Sequence, residues 1–301
     1  MATTARPADT RATSGALDHT AAPPERQPIK PQMALLYAIL IFYGIFSLAP
    51  FVLAFISSFK TYGDIVNNPA ALIPKPITGE NYQQILGSNA PFPHYIFNSL
   101  VYAITTALLN VVLASMAGYA FGRLEFPGKN VLFALTLAVL MIPTQLILIP
   151  KFLVVNALGL ANTFGALIIP AMVTPTSVFL MTQFMKSLPR ELEESAMIDG
   201  AGRFRAFWQI ILPLTKPAIT AVALFQFQGA WNDFIWPLIV MSSQDNYTLT
   251  VGLSYFKGVN FIFYNLLLAG AAINIAPLVV LFFIFQRYFV QGISTAGLAG
   301  R

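Results

Sequence analysis

The sequence contains no cysteine and little charge. The lack of cysteine excludes disulfide bonds, thiol nucleophiles and zinc sites that use cysteine ligands. Cysteine–histidine couples are excluded for the same reason, and the only histidines are His19 and His94. Charged residues make up 10% of the 301 residues, whereas an average soluble domain carries roughly 25%. So few charged side chains cannot cover a surface that faces water.

Apolar residues dominate the composition: 56% of the chain is hydrophobic and the mean hydropathy is +0.68. A helix that crosses the hydrocarbon core of a bilayer needs about 20 predominantly apolar residues. The sequence has six such runs, which predict an all-α, polytopic membrane protein with a bundle of six transmembrane helices. The predicted spans are residues 35–59, 96–121, 131–154, 164–185, 211–241 and 264–289.

Lysine and arginine are distributed unevenly between the two sides of the predicted membrane. Six spans put both termini on one side, and few of the 17 basic residues fall on the other side. Those few are Lys60, Lys75, Lys151 and Lys257. The positive-inside rule therefore predicts that both termini are cytoplasmic. The same distribution explains the pI of about 9.4 without a nucleic acid partner.

The two ends of the chain differ from the bundle in composition. Residues 1–32 are rich in Ala, Thr and Pro, which predicts a disordered cytoplasmic tail. The first apolar run is too long for the core of a signal peptide, so we expect it to remain as a spanning helix. The predicted domains are the tail, a transmembrane domain of residues 33–290 and a cytoplasmic C-terminal tail of residues 291–301.

Prolines and small residues occur inside the predicted spans. The prolines are Pro50, Pro143, Pro170, Pro175, Pro237 and Pro277, and the fifth span is predicted to be interrupted at Pro237. Such breaks are tolerated where the freed backbone groups face protein or a wet cavity, so ordinary kinks and a translocation pathway explain them equally well. Ala114, Gly118 and Gly122 recur every four residues, which lets another helix approach closely. Packing within the chain is favoured over a contact between subunits.

The loop of residues 186–212 is predicted to lie on the cytoplasmic side and to contain two short helices. The first carries glutamates in its N-terminal turn and ends at a glycine break; these residues are Glu191, Glu193, Glu194, Gly200 and Gly202. The second has one apolar stripe, formed by Phe204, Phe207, Trp208 and Ile211. Such helices either dock into a groove of another protein or lie on the membrane surface and connect two spans.

The same loop contains a recognisable motif. It resembles the E-A-A…D-G-A…I-x-L-P signature of the membrane subunits of bacterial ATP-binding-cassette importers, with Ser195 where the family usually has alanine. The matching residues are Glu194-Ser195-Ala196, Asp199-Gly200-Ala201 and Ile210-Ile211-Leu212-Pro213.

Further resemblances extend over nearly the whole chain after residue 33. Residues 119–129 look like the A-R-x-x-F-P-G-K turn of carbohydrate permeases, Trp231-Asn232-Asp233 like their W-N-[DE] motif, and residues 286–297 like their Q-R…G-[LI]-[TS]-x-G ending. The usual tail closes with Lys-Gly, whereas this one closes with Ala299-Gly300-Arg301. Within this class the chain most resembles the six-helix permease of the maltose-type pair.

The resemblance implies a type I importer fold with a coupling helix between spans 4 and 5. That helix would sit in a cleft of a separate cytoplasmic ATPase. The residues expected at this joint are Glu194, Ser195, Ala196, Asp199, Gly200 and Ala201. Their acidic groups would make polar contacts, the alanines would permit close approach, and the glycine would shape the turn.

The implied partners are a second homologous permease subunit, two cytoplasmic ATPase subunits and an extracytoplasmic sugar-binding protein, all at the bacterial cytoplasmic membrane. The chain itself would bind no cofactor, because ATP would be bound by the partner. The segment from Gly122 to Lys129 fails as a phosphate-binding loop, since its glycine spacing is wrong and no Ser or Thr follows the lysine.

A polar cluster in the fifth predicted span indicates a substrate pathway. Polar groups at membrane depth are costly unless they face protein or water. The candidate residues are Gln228, Trp231, Asn232 and Asp233, with Gln226 nearby. They would line the pathway and offer a sugar a stacking face and hydrogen-bond partners, or they would form a seam against the partner permease.

The function predicted from the sequence is import of a di- or oligosaccharide driven by a partner ATPase. Glycerol-phosphate and polyol importers share much of the pattern and stay open as alternatives. A stand-alone secondary transporter is less favoured, because the spans show no clear repeat and Asp233 is the only carboxylate at depth. A membrane enzyme is disfavoured because no catalytic constellation and no metal-ligand cluster is present in the sequence.

Overall fold

The computed structural model describes residues 31–87, 90–258 and 261–298, with side chains as far as Gln286. The described residues form helices and no strand beyond a single bridge between Lys257 and Ile262, which confirms the all-α prediction. In chain order the helices are α1 (Pro31–Ser57), α2 (Tyr62–Asn67), α3 (Glu80–Leu86), α4 (Phe92–Arg123), α5 (Lys129–Val139), α6 (Leu148–Ala157), α7 (Phe164–Ile168), α8 (Pro175–Ser187), α9 (Glu191–Ile198), α10 (Arg203–Ala206), α11 (Leu212–Leu214), α12 (Lys216–Trp231), α13 (Ile235–Val240), α14 (Leu249–Ser254) and α15 (Tyr264–Leu298). A π-helical turn, Phe207–Ile211, joins α10 to α11. Short 3-10 turns lie at Thr144–Ile147, Ile169–Ala171 and Gln244–Asn246.

Four helical stretches among the described residues are long and apolar enough to cross a membrane: α1, α4, Phe164–Ser187 and Tyr264–Gln286. A fifth is formed if Arg203–Leu214 and α12, which meet at a 77° bend, are one broken span. The predicted span at residues 131–154 is not one helix, because α5 and α6 are separated by residues 140–147. Pro143 lies in this gap, where it has no N–H for a helical hydrogen bond. The count of six spans stays a prediction.

The interruption in the fifth predicted span lies at residues 232–234, between α12 and α13, and not at Pro237. Pro237 is the third residue of α13. A proline in the first turn of a helix is tolerated, because the first N–H groups of a helix have no intrahelical partner. The proline therefore lies just inside a new helix, and the break comes before it.

The chain divides into two compact units, with the boundary after Pro50 inside α1. The described part of the first unit is the first twenty residues of α1, an apolar stretch in which Phe42 stacks on Phe46 at 6.4 Å between ring centroids. Almost all of the predicted tail, residues 1–32, lies outside the described residues. At the other end, α15 continues to Leu298, beyond the predicted start of the C-terminal tail at residue 291.

In the second unit α4 is the central helix, packed against both α8 and α12. Its first half lies in one apolar cluster with Trp231, Trp236 and Leu249, and its last half lies in a second cluster with Met181 and Ile211. The contact with α8 is close at Gly118, where a Cβ atom would lie 2.6 Å from Cβ of Met181. The predicted packing of this small-residue face within the chain is therefore confirmed.

The segment between α1 and α4 is folded around a buried lysine. Lys60 is fully buried, and its Nζ donates to the carbonyl oxygens of Asn68 at 3.1 Å and Ala71 at 2.6 Å. Asn81 of α3 donates its side-chain amide to the carbonyl oxygens of Ser58 and Lys60, both at 2.8 Å. These hydrogen bonds fix the segment as an ordered cover at the end of the bundle.

We predict that Gly118→Ala destabilises the protein, because the added methyl group overlaps Met181. Overpacking of this kind costs roughly 1–3 kcal/mol, which should lower the apparent melting temperature of the detergent-solubilised protein. Gly229→Ala is the matched control, since no atom lies within 4 Å of its Cβ position in α12. Equal melting temperatures for the two variants would contradict the close approach of α4 and α8.

Candidate functional site

The loop after α8 folds as two short helices around a glycine, as predicted. Gly200 has φ of 84°, a left-handed conformation that glycine adopts without strain. The N–H of Ala201 donates to the carbonyl of Ala196 at 2.9 Å, and the N–H of Gly200 to that of Met197 at 3.1 Å. This pair of hydrogen bonds is a Schellman motif, which ends α9 and sets the direction of α10.

The structure brings the six predicted coupling residues together on α9 and its C-terminal cap. Four are exposed: Glu194, Ser195, Asp199 and Gly200. Ala196 and Ala201, which the Schellman hydrogen bond joins, are half-buried against the rest of the loop. The acidic groups therefore face outward and are free to contact another molecule.

A buried ion pair that the sequence did not indicate holds this loop. Nε of Arg123, the last residue of α4, donates to Oε2 of Glu193 at 2.5 Å. The side chains are only 2% and 9% exposed. The remaining guanidinium N–H groups donate to the carbonyls of Leu188 at 2.8 Å, Pro189 at 3.0 Å and Met185 at 3.3 Å. Arg123 thus joins the end of α4 to the end of α8 and the start of α9.

The second helix of the loop is tied to the same end of α4. The hydroxyl of Tyr119, one turn before Arg123, donates to the carbonyl oxygen of Arg203 at 3.3 Å. Phe207 stacks against Tyr119 with 5.0 Å between ring centroids. Both loop helices therefore move with the last turns of α4.

The predicted apolar stripe of the loop is divided between two environments. Phe207 and Ile211 are buried in the second apolar cluster. Phe204 and Trp208 are 73% and 45% exposed, and Ile198, at the end of α9, is 86% exposed. The outer face of the loop thus combines large apolar side chains with the exposed acidic groups of α9.

A polar cavity of about 580 Å³ lies where the two helix interruptions meet. One interruption is the 3-10 turn Thr144–Ile147 before α6, and the other is residues 232–234 between α12 and α13. The lining residues are Thr144, Gln145, Ile147, Leu148, Lys151, Asn232, Asp233, Phe234, Ile235 and Trp236. A larger cavity, of about 740 Å³ between α4, α12 and α15, is apolar apart from Thr220.

Asp233 is held in one orientation at the wall of the polar cavity. The hydroxyl of Tyr102 donates to its Oδ2 at 3.1 Å, and the N–H of Trp236 donates to its Oδ1 at 3.4 Å. The Thr250 hydroxyl donates to the main-chain carbonyl of Asp233 at 2.6 Å. Donors from α4 and α13 therefore orient the carboxylate, and the donor from α14 holds the main chain of Asp233.

The four predicted pathway residues do not share one cavity. Asn232 and Asp233 line the polar cavity, whereas Gln228 lines a smaller one of about 210 Å³. Trp231 is 1% exposed, stacks on Phe227, and donates its indole N–H to the carbonyl of Asn274 at 2.9 Å. In this conformation the tryptophan packs the core, and its predicted contact with a sugar stays a prediction.

Lys151 is the functional candidate in this cavity that the sequence reasoning missed. The distribution of basic residues across the predicted membrane put Lys151 among the lysines outside the cytoplasm, although it falls within an apolar run. In the structure it lies in α6, and its Nζ is 3.8 Å from the centroid of the Trp236 ring. A single lysine in an otherwise apolar stretch was the available signal. No group of three potential metal ligands is present among the residues that the structure describes.

We predict that Arg123→Met releases the loop, because it removes four hydrogen bonds and leaves Glu193 buried without its partner. Breaking a buried pair in this way costs roughly 3–5 kcal/mol. Cleavage after the loop glutamates by a glutamate-specific protease should accelerate at least tenfold. Arg190→Met is the control, since Arg190 is 65% exposed and lies 3.9 Å from Glu125, a pair worth about 0–1 kcal/mol.

A second variant separates the ion pair from general damage. Arg123→Met with Glu193→Leu removes both charges and should recover part of the protease resistance, because no buried charge is then left unpaired. Cleavage of Arg123→Met no faster than that of Arg190→Met would show that the pair does not hold the loop.

Comparison with known proteins agrees with this arrangement. Residues 114–295 match the family described as "Binding-protein-dependent transport system inner membrane component". The permease protein AraQ of the arabinooligosaccharide transport system of Halalkalibacterium halodurans is 36% identical over 88% of this chain and 94% of its own length. The diacetylchitobiose uptake permease NgcG of Streptomyces coelicolor is 34% identical over 87% of each chain. The trehalose/maltose permease MalG of Thermococcus litoralis is 33% identical over 90% and 98%.

Solved structures show the same fold. A chain of a bacterial importer of the acidic polysaccharide alginate superposes with a TM-score of 0.75 at 21% identity, over 86% of this chain and 96% of that chain. A chain of an alginate transporter in complex with a periplasmic protein that holds an alginate pentasaccharide superposes with a TM-score of 0.60 at 15% identity, over 84% and 91%. The chain therefore belongs to the family of binding-protein-dependent transport system inner membrane components, as a multi-pass permease of the carbohydrate ATP-binding-cassette importers.

Proposed function

We propose that the chain forms half of a translocation pathway for a di- or oligosaccharide, which an extracytoplasmic binding protein delivers and a partner ATPase drives. A second, homologous permease subunit would form the other half. The names of the relatives support a saccharide cargo, since they refer to arabinooligosaccharides, diacetylchitobiose, and trehalose and maltose. The structural neighbour that is in complex with a periplasmic protein supports delivery by a binding protein. With both termini cytoplasmic, the loop of α9 and α10 faces the ATPase.

The proposed coupling of the loop to the ATPase rests on one observation. The outer face of the loop carries exposed apolar side chains, while its inner face is anchored by a buried ion pair. Ile198 and Phe204 are largely exposed in the isolated chain, and Trp208 is 45% exposed. A soluble surface does not usually keep a contiguous group of large apolar side chains without a partner. Glu194 and Asp199 beside them supply a polar rim, which is the usual anatomy of a protein interface.

Anchorage of the loop explains how a partner's movement would reach the substrate. Arg123, at the end of α4, holds the loop, and Tyr102, in the first half of the same helix, holds Asp233 at the polar cavity. The two residues lie on one uninterrupted helix and are roughly 30 Å apart at about 1.5 Å per residue. A displacement of the loop by the ATPase would therefore move the wall of the cavity as α4 tilts, which favours alternating access by rigid-body motion.

We predict that Ile198→Ser and Phe204→Ser each weaken retention of the ATPase subunit, because each removes an exposed apolar group from the proposed interface. The amount of ATPase that co-purifies with the complete transporter should fall about tenfold or more, which is roughly 1.4 kcal/mol. Ile77→Ser is the control, since Ile77 is 72% exposed in the segment between α1 and α4 on the opposite side. Undiminished co-purification of both loop variants would count against the docking surface.

A second prediction concerns the turn. Gly200→Val should lower saccharide uptake per ATP hydrolysed at least fivefold in proteoliposomes, because a β-branched residue is strained at a φ of 84° and would redirect α10. Gly202→Val is the matched control two residues away, since Gly202 has a φ of −72° and no atom lies within 4 Å of its Cβ position. Equal uptake per ATP in the two variants would show that the direction of the turn does not matter for coupling.

A further inference from the structure

We propose that Lys151 and Asp233 form a charge-balanced subsite that binds the hydroxyl groups of an uncharged sugar unit and discriminates against acidic saccharides. The proposal rests on the proposed function, because it assigns a substrate class to the cavity between the two helix interruptions. It adds Lys151, which no resemblance or motif indicated, and it gives the carboxylate of Asp233 a partner of opposite charge across the cavity.

The cavity has the size and position of a ligand site. Its volume of about 580 Å³ lies within the range of roughly 300–1,000 Å³ that small-molecule sites occupy. Non-helical backbone at membrane depth is tolerated where it lines a cavity and not where it faces lipid. Two separate helices are interrupted at this one place, at the 3-10 turn before α6 and at residues 232–234. Interrupted helices that meet near the middle of a bundle are where transporters bind their cargo.

Lys151 is positioned but not neutralised. Its ammonium lies 3.8 Å from the centre of the Trp236 ring, and the indole N–H of that ring donates to the carbonyl of Ala166 at 2.9 Å, which fixes the ring. Within the described part of the chain, Lys151 has no hydrogen-bond acceptor and no carboxylate oxygen within 4 Å. The N–H donors of the ammonium group that do not face the Trp236 ring are therefore available to oxygen atoms in the cavity.

Asp233 supplies the complementary acceptors. Each carboxylate oxygen accepts one hydrogen bond from the chain, from Tyr102 or from Trp236. A carboxylate has about four acceptor positions, so about two remain for a ligand. Because Lys151 and Asp233 line the same cavity without an ion pair between them, the gap can be bridged by hydroxyl groups, which donate to the carboxylate and accept from the ammonium.

The rest of the lining is neutral and sets the selectivity. Thr144, Gln145 and Asn232 add uncharged polar groups, and Phe234, 38% exposed, adds an aromatic face. With one positive and one negative side chain, the described lining has no net charge. A carboxylate on the sugar would add a second negative charge to a lining whose one positive charge, on Lys151, already balances Asp233, and an uncompensated charge away from water is costly. A neutral sugar brings no such charge, so the cavity selects neutral sugars by disfavouring acidic ones.

The absence of cysteine allows a direct test on the assembled transporter. Gln145→Cys places a thiol in the cavity, and Gln84→Cys places one on exposed α3 as the control. The complete complex is treated with a maleimide while it hydrolyses ATP in the presence of its binding protein. The chain is then separated from its partners, and the extent of its alkylation is measured. Arabinotriose, diacetylchitobiose and maltotriose serve as neutral probes, and trigalacturonate serves as the acidic probe.

Protection from alkylation reports occupancy of the cavity. A neutral probe that the wild-type complex imports should slow alkylation of the Gln145→Cys variant at least fivefold, because the bound sugar covers the thiol. The same probe should leave alkylation of the Gln84→Cys variant unchanged, whereas trigalacturonate should protect neither variant.

Charge variants then test the pair. In the Gln145→Cys background, Asp233→Asn leaves Lys151 as the only charge and should raise protection by trigalacturonate, relative to the neutral probe, at least tenfold. Lys151→Gln should abolish protection by the neutral probe and leave trigalacturonate without effect. Gel filtration of each complex shows that it has assembled, and an unchanged acidic-to-neutral ratio in assembled Asp233→Asn overturns the proposal.

The outcomes distinguish this subsite from the proposed function. If the wild-type complex imports a neutral probe but that probe does not protect the thiol of the Gln145→Cys variant, the subsite is overturned and saccharide import stands. If an assembled complex that hydrolyses ATP imports none of the four probes, the proposed saccharide function fails and the subsite fails with it.

Discussion

The attachment of α9 to the ends of α4 and α8 depends on the hydrogen bonds of one buried guanidinium. Arg123 satisfies carbonyl groups at the end of α8 and on the following turn, where a helix end would otherwise lack donors. It also neutralises Glu193 on the next helix. A lysine could not replace it, because its three donors do not lie in a planar fork that reaches four acceptors at once. These hydrogen bonds join the end of α4, the end of α8 and the start of α9 into one rigid unit.

At each end of α4, a few polar side chains hold a different neighbouring segment of the chain. At one end Arg123 and Tyr119 hold the loop of α9 and α10, and toward the other end Asn98 donates to the carbonyls of Asp245 at 2.7 Å and Tyr247 at 3.0 Å. Between them Tyr102 reaches Asp233. Hydrogen bonds in a low-dielectric interior are costly to leave unmade, so each of these contacts defines one arrangement of the neighbouring segment. The helix therefore positions both the loop of α9 and α10 and the wall of the polar cavity.

The sequence was sufficient for features that depend on local chemistry or on bulk hydrophobicity. The helical class, the loop with two helices, the turn at Gly200 and the close packing at Gly118 were all predictable, because each follows from residues adjacent in sequence or on one helix face. The ion pair of Arg123 with Glu193 was not, since the two residues are 70 positions apart and a glutamate in a first helical turn already has an ordinary explanation. Lys151 was not recognised as a cavity residue for a similar reason, because the Trp236 ring that it contacts is distant in sequence. In addition, a lysine side chain is ordinarily expected to face water. The exact interruption in the fifth span was misplaced because proline was taken as the break, whereas Pro237 lies in the first turn of the next helix.

The contact of Gly118 with Met181 has a consequence for which parts of the molecule can move. Where a glycine lets a second helix approach this closely, sliding along the contact is blocked by the side chains on either side of it, and the next favourable register is a full turn, about 5.4 Å, away. Helices α4 and α8 are therefore expected to travel as a rigid pair. Motion is then expected where helices are already broken, which includes residues 140–147, the 77° bend at Thr215 and residues 232–234. Two of these breaks line the polar cavity, so that bending at either of them also changes the shape of the cavity.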